Sequence, residues 1–127
     1  MADLSVDRQQ ALAEVYRLVR AAVVGKRPVS AIYKARQRLL CPHRLGRNSA
    51  GQLRVLCYQY GGESESGLKP VGSPANWRCI VLDQLSRIEV LEGEWRTAPN
   101  HSRPSSCVAQ ADVDAEDPPE RDPQNGQ

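Results

Sequence analysis

The residues of this 127-residue chain with the plainest chemical potential are its two histidines and four cysteines. Cys41 and His43 stand two apart, and His101 with Cys107 adds two more soft donors, which together make a formal two-Cys, two-His zinc set. The spacing argues against that use. Structural zinc is ordinarily nucleated by a tight Cys-x-x-Cys knuckle, and no such pair exists here. Acid–base chemistry would have to come from His43, His101, Asp83, Glu63 or Glu65, and no two of these form a recognisable catalytic pair. The sequence contains no nucleophile elbow, phosphate loop, dinucleotide fingerprint or His-Glu-x-x-His. No catalytic residue, metal or cofactor is therefore assigned. Asp83 reads as a turn residue, Glu63 and Glu65 as solvated loop charges, and His43 as a surface residue beside Pro42.

The stronger signal is cationic. No Asp or Glu occurs between Glu14 and Glu63, while Arg17, Arg20, Lys26, Arg27, Lys34, Arg36, Arg38, Arg44, Arg47 and Arg54 all fall in that window. Arginine presents a planar fork of donors that matches phosphate oxygens, so a surface of this kind suits a polyanion. The candidate contacts are Arg36, Arg38, Arg44, Arg47 and Arg78, with Tyr33 and Tyr58 as stacking partners for bases. The competing reading is a solubilising outer face, although such a face usually mixes both signs. The overall net charge of +2 hides an asymmetry: Asp112, Asp114, Glu116, Asp117, Glu120 and Asp122 face only Arg121 in the last seventeen residues.

These side chains need elements to carry them. Leu12, Val15, Tyr16, Val19 and Val23 recur at helical spacing, so Ser5–Val24 reads as an amphipathic helix, with Gly25 in the left-handed cap position and Pro28 forbidding continuation. From Val29 the period shortens toward two. Strands are expected at about Ser30–Ala35, Arg38–Pro42, Leu53–Tyr60, Trp77–Leu82 and Arg87–Leu91, the middle pair joined by a turn over Gly46–Gly51 to form a basic hairpin. Gly61–Ala75 is loop by composition and could serve as a flap, while Gly93 and Trp95 would close a last hairpin. No apolar run approaches the roughly 20 residues a membrane helix needs, and the amino terminus carries Asp3 and Asp7 where a secretory leader wants bases. A cytoplasmic location with four free thiols, three of them in apolar strand-like runs and packed as small hydrophobes, follows as the expectation.

The run IYKARQRLLCPHRLGRNSAGQLRVLCYQYGG, followed by NWRCIVLDQLSRIEV, resembles the WYL domain over about residues 29–95. Tyr33 matches the family's early tyrosine, and Pro42 with Leu45 its proline-bearing strand. Arg54-Val55-Leu56 falls where the Trp-Tyr-Leu triad belongs and keeps only the Leu. Arg78, Leu82 and Asp83 fit the closing segment, in which Gln84 replaces the second Arg. The resemblance implies a small SH3- or Sm-like barrel that regulates by binding a nucleic acid or nucleotide-like ligand through basic residues. The expected fold is thus α+β: an N-terminal amphipathic helix and linker (1–28) packed on a five-stranded SH3/Sm-like β-barrel (29–110), then a disordered acidic tail (111–127). The expected function is non-catalytic binding of a polyanion. The alternative is a protein–protein adaptor, or a homodimer, using the helix or a barrel edge; a hydrolase using His43 or His101 comes third.

Overall fold

The computed structural model describes residues 4–64, 67–98 and 107–115, and for residues 4–11 the backbone alone. His101, Glu65 and the tail from residue 116 lie outside the described residues. The chain opens with α1, Leu4–Gly25. Val15, Val19, Ala22 and Val23 bury the helix stripe against the sheet, with Leu12 and Tyr16 packed at its margin. The helix ends in a Schellman arrangement: Arg27 N–H donates to the Ala22 carbonyl (2.9 Å) and Lys26 N–H to that of Val23 (3.3 Å). The left-handed residue is Lys26 (φ 53°), not Gly25 as expected, because the helix extends one residue further than its apolar spacing indicates.

Six strands follow: β1 Val29–Tyr33, β2 Arg36–Arg47, β3 Leu53–Gly62, β4 Trp77–Val81, β5 Leu85–Val90 and β6 Gln110–Asp114. All pairings are antiparallel, in the order β4-β3-β2-β1-β5, with β6 joined to β2. Two single-turn 3-10 segments, Pro74–Asn76 and Leu82–Gln84, lead into β4 and β5. The architecture is therefore α+β, with a helix on an open antiparallel sheet of six strands where five were expected. The sixth strand corrects the expected tail boundary. Gln110–Asp114 is paired and Ala115 is buried, because the backbone groups of this polar stretch find partners along the edge of β2 that composition alone does not reveal. No helix among the described residues is long and apolar enough to cross a membrane.

β2 is the strand around which the others assemble. Its first half, Arg36–Leu40, lies between β1 and β3; its second half, Arg44–Arg47, lies between β6 and β3. Leu40 and Leu45 are an odd number of residues apart, and a regular strand would send them to opposite faces. A bulge between Pro42 and Arg44 absorbs the extra residue, His43, so both leucines enter the core beneath α1. Each is fully buried and contributes about 1.5–3 kcal/mol.

The same bulge turns Cys41 and His43 toward a second cluster containing Tyr58, Trp77, Trp95 and Ala98. The run Glu92–Ala98 forms no hairpin strand; Trp95 and Ala98 cover this cluster instead. Cys107 and Val108 extend the cover over Leu56 and Trp77. Cys107 is disulfide-bonded to Cys79 on β4, with Cα atoms 5.6 Å apart, while Cys41 and Cys57 are free and buried. The expectation of four free thiols fails because tertiary packing brings together two cysteines separated by 28 positions. With a disulfide present, thiol content no longer argues for a reducing compartment.

Candidate anion-binding site

The β1–β2 connection is a two-residue turn in which Lys34 (φ 53°) and Ala35 (φ 62°) are both left-handed, as a type I′ hairpin requires. Asn-Gly is the usual occupant, and each side chain held there costs about 1–2 kcal/mol. The tight turn sets Tyr33 opposite Arg36 and brings Lys34 over the Tyr33 ring. Lys34 Nζ lies 5.5 Å from the centre of the Tyr33 ring, and the Arg38 guanidinium lies 5.2 Å from it. Arg38 is only 4% exposed, and its Nε donates to the Tyr33 carbonyl at 3.2 Å. Arg36 and Arg38 share a strand face by the two-residue period.

Behind them stands Arg78 of β4. Its Nε donates to Gln59 Oε1 (3.2 Å), and its terminal nitrogens reach Ser64 Oγ (3.1 Å) and the Ala75 carbonyl (2.8 Å). Gln59 is buried, and its amide donates to the carbonyls of Gly61 and Glu63 (2.9 and 2.8 Å). The Arg78 pKa is lowered, first by burial and then by the positive charge of Arg38, so the two guanidiniums feel one another. Glu63 approaches this end through its backbone, its N–H donating to the Gln37 carbonyl, with an exposed side chain. Among the described residues none of Lys34, Arg36, Arg38 and Arg78 forms an ion pair, whereas Arg17, Arg27, Arg44 and Arg96 each do.

The structure divides the residues singled out from the sequence. Tyr33, Arg36, Arg38 and Arg78 come together, with Tyr58 close to Arg78 alone; Arg44 and Arg47 sit at the other end of β2. Arg44 Nε meets Asp114 Oδ2 at 2.7 Å, with 17% and 9% of the two side chains exposed. Arg47 is exposed and donates to the Gly51 carbonyl. The two tyrosines are not free to stack on bases. Tyr33 has its ring flanked by cations and its hydroxyl accepting from Val81 N–H (3.3 Å). Tyr58 is fully buried edge-on to Trp77, donating to the Ser73 carbonyl (2.9 Å) and accepting from Gly72 N–H (2.7 Å). Those bonds, with buried Asn76 holding the carbonyl and N–H of Lys69, pin residues 67–76 to the sheet, so this stretch is no flap. Lys34 and Gln59 escaped the sequence reading. The gap of two residues between Tyr33 and Arg36 is the signal that would have found Lys34.

His43 is a core residue, not a surface one. Its Nδ1–H donates to the Cys41 carbonyl (2.7 Å), so in the neutral ring Nε2 accepts from Thr97 Oγ1 (2.9 Å), and Trp77 and Trp95 pack on it at 4.7 and 4.5 Å. Both ring nitrogens are thus engaged, Nδ1 within β2 and Nε2 across to the strap of residues 95–98. Burial pushes the Cys41 thiol up to about 11 and the Cys57 thiol higher still, which suits packing and not nucleophilic attack. Cys107, the fourth donor of the formal zinc set, is taken by its disulfide. Asp83 lies exposed in the 3-10 turn before β5. Comparison with family models, curated proteins and solved structures finds no match to this chain.

Proposed function

We propose that this chain is a non-catalytic module that binds a phosphate-bearing polyanion, a nucleic acid or a nucleotide-like ligand, at the β1–β2 end of its sheet. The observation that carries the reading is the group Lys34, Arg36, Arg38 and Arg78, unpaired with any acid among the described residues and backed by a nearly buried guanidinium. Holding Arg38 charged with so little exposure costs desolvation energy, and an anion at its terminal nitrogens would offset that cost. Lys34 and Arg36 supply the outer contacts, and Arg78 fixes the neighbouring loop while adding to the field. The fold belongs to the same proposal. One helix, the strand order β4-β3-β2-β1-β5 and a 3-10 turn between β4 and β5 support an SH3- or Sm-like barrel of WYL type, to which β6 is an addition.

Fluorescence anisotropy with labelled single- and double-stranded oligonucleotides, repeated over a salt series, tests the reading. Binding should weaken steeply with salt, each phosphate contact adding roughly 0.7 to 0.9 to the log–log slope. Salt-insensitive behaviour, or no binding to any oligonucleotide or nucleotide, would hand the lead to the adaptor reading. That alternative rests on the outer edges of β4 and β5, which carry no strand among the described residues. The stripe of α1 from Leu12 to Val23 packs on its own sheet, which favours those edges over the helix for the alternative.

A further inference from the structure

The C-terminal strand is held by an attachment whose parts differ in kind. Along β2, Ala109 N–H donates to the Arg47 carbonyl (2.8 Å) and Ala115 N–H to that of His43 (2.7 Å), bracketing the paired residues of β6. Asp114 meets Arg44, and Asp112 accepts from the Tyr16 hydroxyl at 2.6 Å. Apolar burial is slight: Cys107, Val108 and Ala115 are buried and Val113 partly so, while Gln110, Ala111 and Asp112 are exposed. The covalent tie is Cys107–Cys79, at the head of the segment.

That tie is placed where a reductant can reach it. Cys79 is exposed on β4, the outermost strand on its side of the sheet, whereas Cys107 is buried. Arg54, on the adjacent β3, directs Nη1 to Cys79 Sγ at 3.5 Å. Its Nε is the one buried side-chain nitrogen or oxygen among the described residues that lacks a hydrogen-bond partner. A guanidinium in this position favours a thiolate on Cys79 over a neutral thiol.

We propose that the Cys79–Cys107 disulfide is a redox latch whose reduction by a dithiol releases residues 107–115 from β2 and β4. The exchange runs in two steps. A thiolate of the reductant attacks Cys79 Sγ, the Cys79–Cys107 bond breaks, and Cys107 leaves as a thiolate that takes a proton. The second thiol of the reductant, deprotonated, then attacks its own sulfur in the mixed disulfide and expels Cys79 as a thiolate beside Arg54, leaving the reductant as a cyclic or linked disulfide. Two electrons pass to the protein and two protons are bound or exchanged with solvent. Release uncovers the β2 edge from Arg44 to Arg47, the Arg44 guanidinium, and the side chains of Leu56 and Trp77, while α1 and β1–β5 keep their own pairings. This inference does not depend on the polyanion reading.

Hydrogen exchange followed by mass spectrometry on the full chain, oxidised and after dithiothreitol at neutral pH, is the test, with thiols counted under denaturant in each state. The oxidised protein should show two thiols and the reduced protein four. Amides of 107–115 should lose nearly all protection after reduction, while those of β1–β3 stay protected and fall only as far as global stability falls, and Cys79→Ser should reproduce the reduced pattern. Arg54→Gln should slow reduction several-fold. Unchanged protection of 107–115 in protein shown to be reduced overturns the latch. So does an equal loss of protection across 107–115 and β1–β3, which makes the disulfide a general staple, and so do four thiols in the oxidised protein. An unaltered reduction rate in Arg54→Gln overturns the part given to that arginine.

Discussion

The two halves of β2 carry the same kind of side chain and meet opposite fates. Arg36 and Arg38, with Lys34 at the turn, face β1 and β3 and find no carboxylate among the described residues. Arg44 and Arg47, on the same strand past the bulge, lie beside β6, which brings Asp112 and Asp114 with it. A run of basic residues in sequence is therefore not a basic surface in space. What decides is which strand occupies the edge next to each cation. One half of β2 has no carboxylate partner among the described residues, and in the other half Arg44 has one from within the chain while Arg47 donates to the Gly51 carbonyl.

The largest effect that would sharpen this contrast comes from the disulfide that fixes the neutralising strand. Its loop of about 28 residues should add about 3–4 kcal/mol to stability through lost unfolded-state entropy. Urea titrations with and without reductant should differ by about 2–4 kcal/mol. A difference below about 1 kcal/mol would mean that β6 is anchored by other contacts.

Next in size is the Arg44–Asp114 pair, which is mostly shielded from water. Arg44→Leu should lower stability by about 1–3 kcal/mol, because a largely buried carboxylate loses its charged partner. Arg36→Leu, at a position with no ion pair, should change it by less than about 0.5 kcal/mol. Equal losses in the two variants would erase the distinction between the halves.

Binding should divide the same way. Lys34→Glu with Arg36→Glu should weaken oligonucleotide affinity about tenfold or more and flatten the salt slope by about one unit per removed contact. Arg47→Glu, at the β6 end of the strand, should cost less than about threefold. The reverse ranking would move the site to the β2–β6 end.

The smallest effect concerns Tyr16, whose pKa is raised, chiefly by the hydrogen bond to Asp112 and then by burial. A phenol that holds its proton more tightly when folded contributes stability that is complete below the unfolded value of about 10. That contribution is lost as pH rises through the folded value. A modest decline of β6 protection above pH 10 should disappear in Tyr16→Phe. A decline that persists in the variant would assign it to another group.

The sequence by itself determined the elements. The helical recurrence of Leu12, Val15, Tyr16, Val19 and Val23 placed α1, and the alternating apolar runs broken by Gly, Pro and Asn placed β1 to β5 within a few residues, because period and turn chemistry are local properties. It also determined that positive charge gathers on β2. The tertiary structure alone decided which of those charges meets a carboxylate. Gln110–Asp114 is too polar to announce a strand; it pairs with an open edge of β2, next to a segment whose Cys107 reaches Cys79, both set by residues far away in sequence. The burial of His43 and Tyr58 was likewise hidden. A bulge that reverses strand parity, and a strap that returns over the second face, are products of packing between distant segments, which no local pattern records.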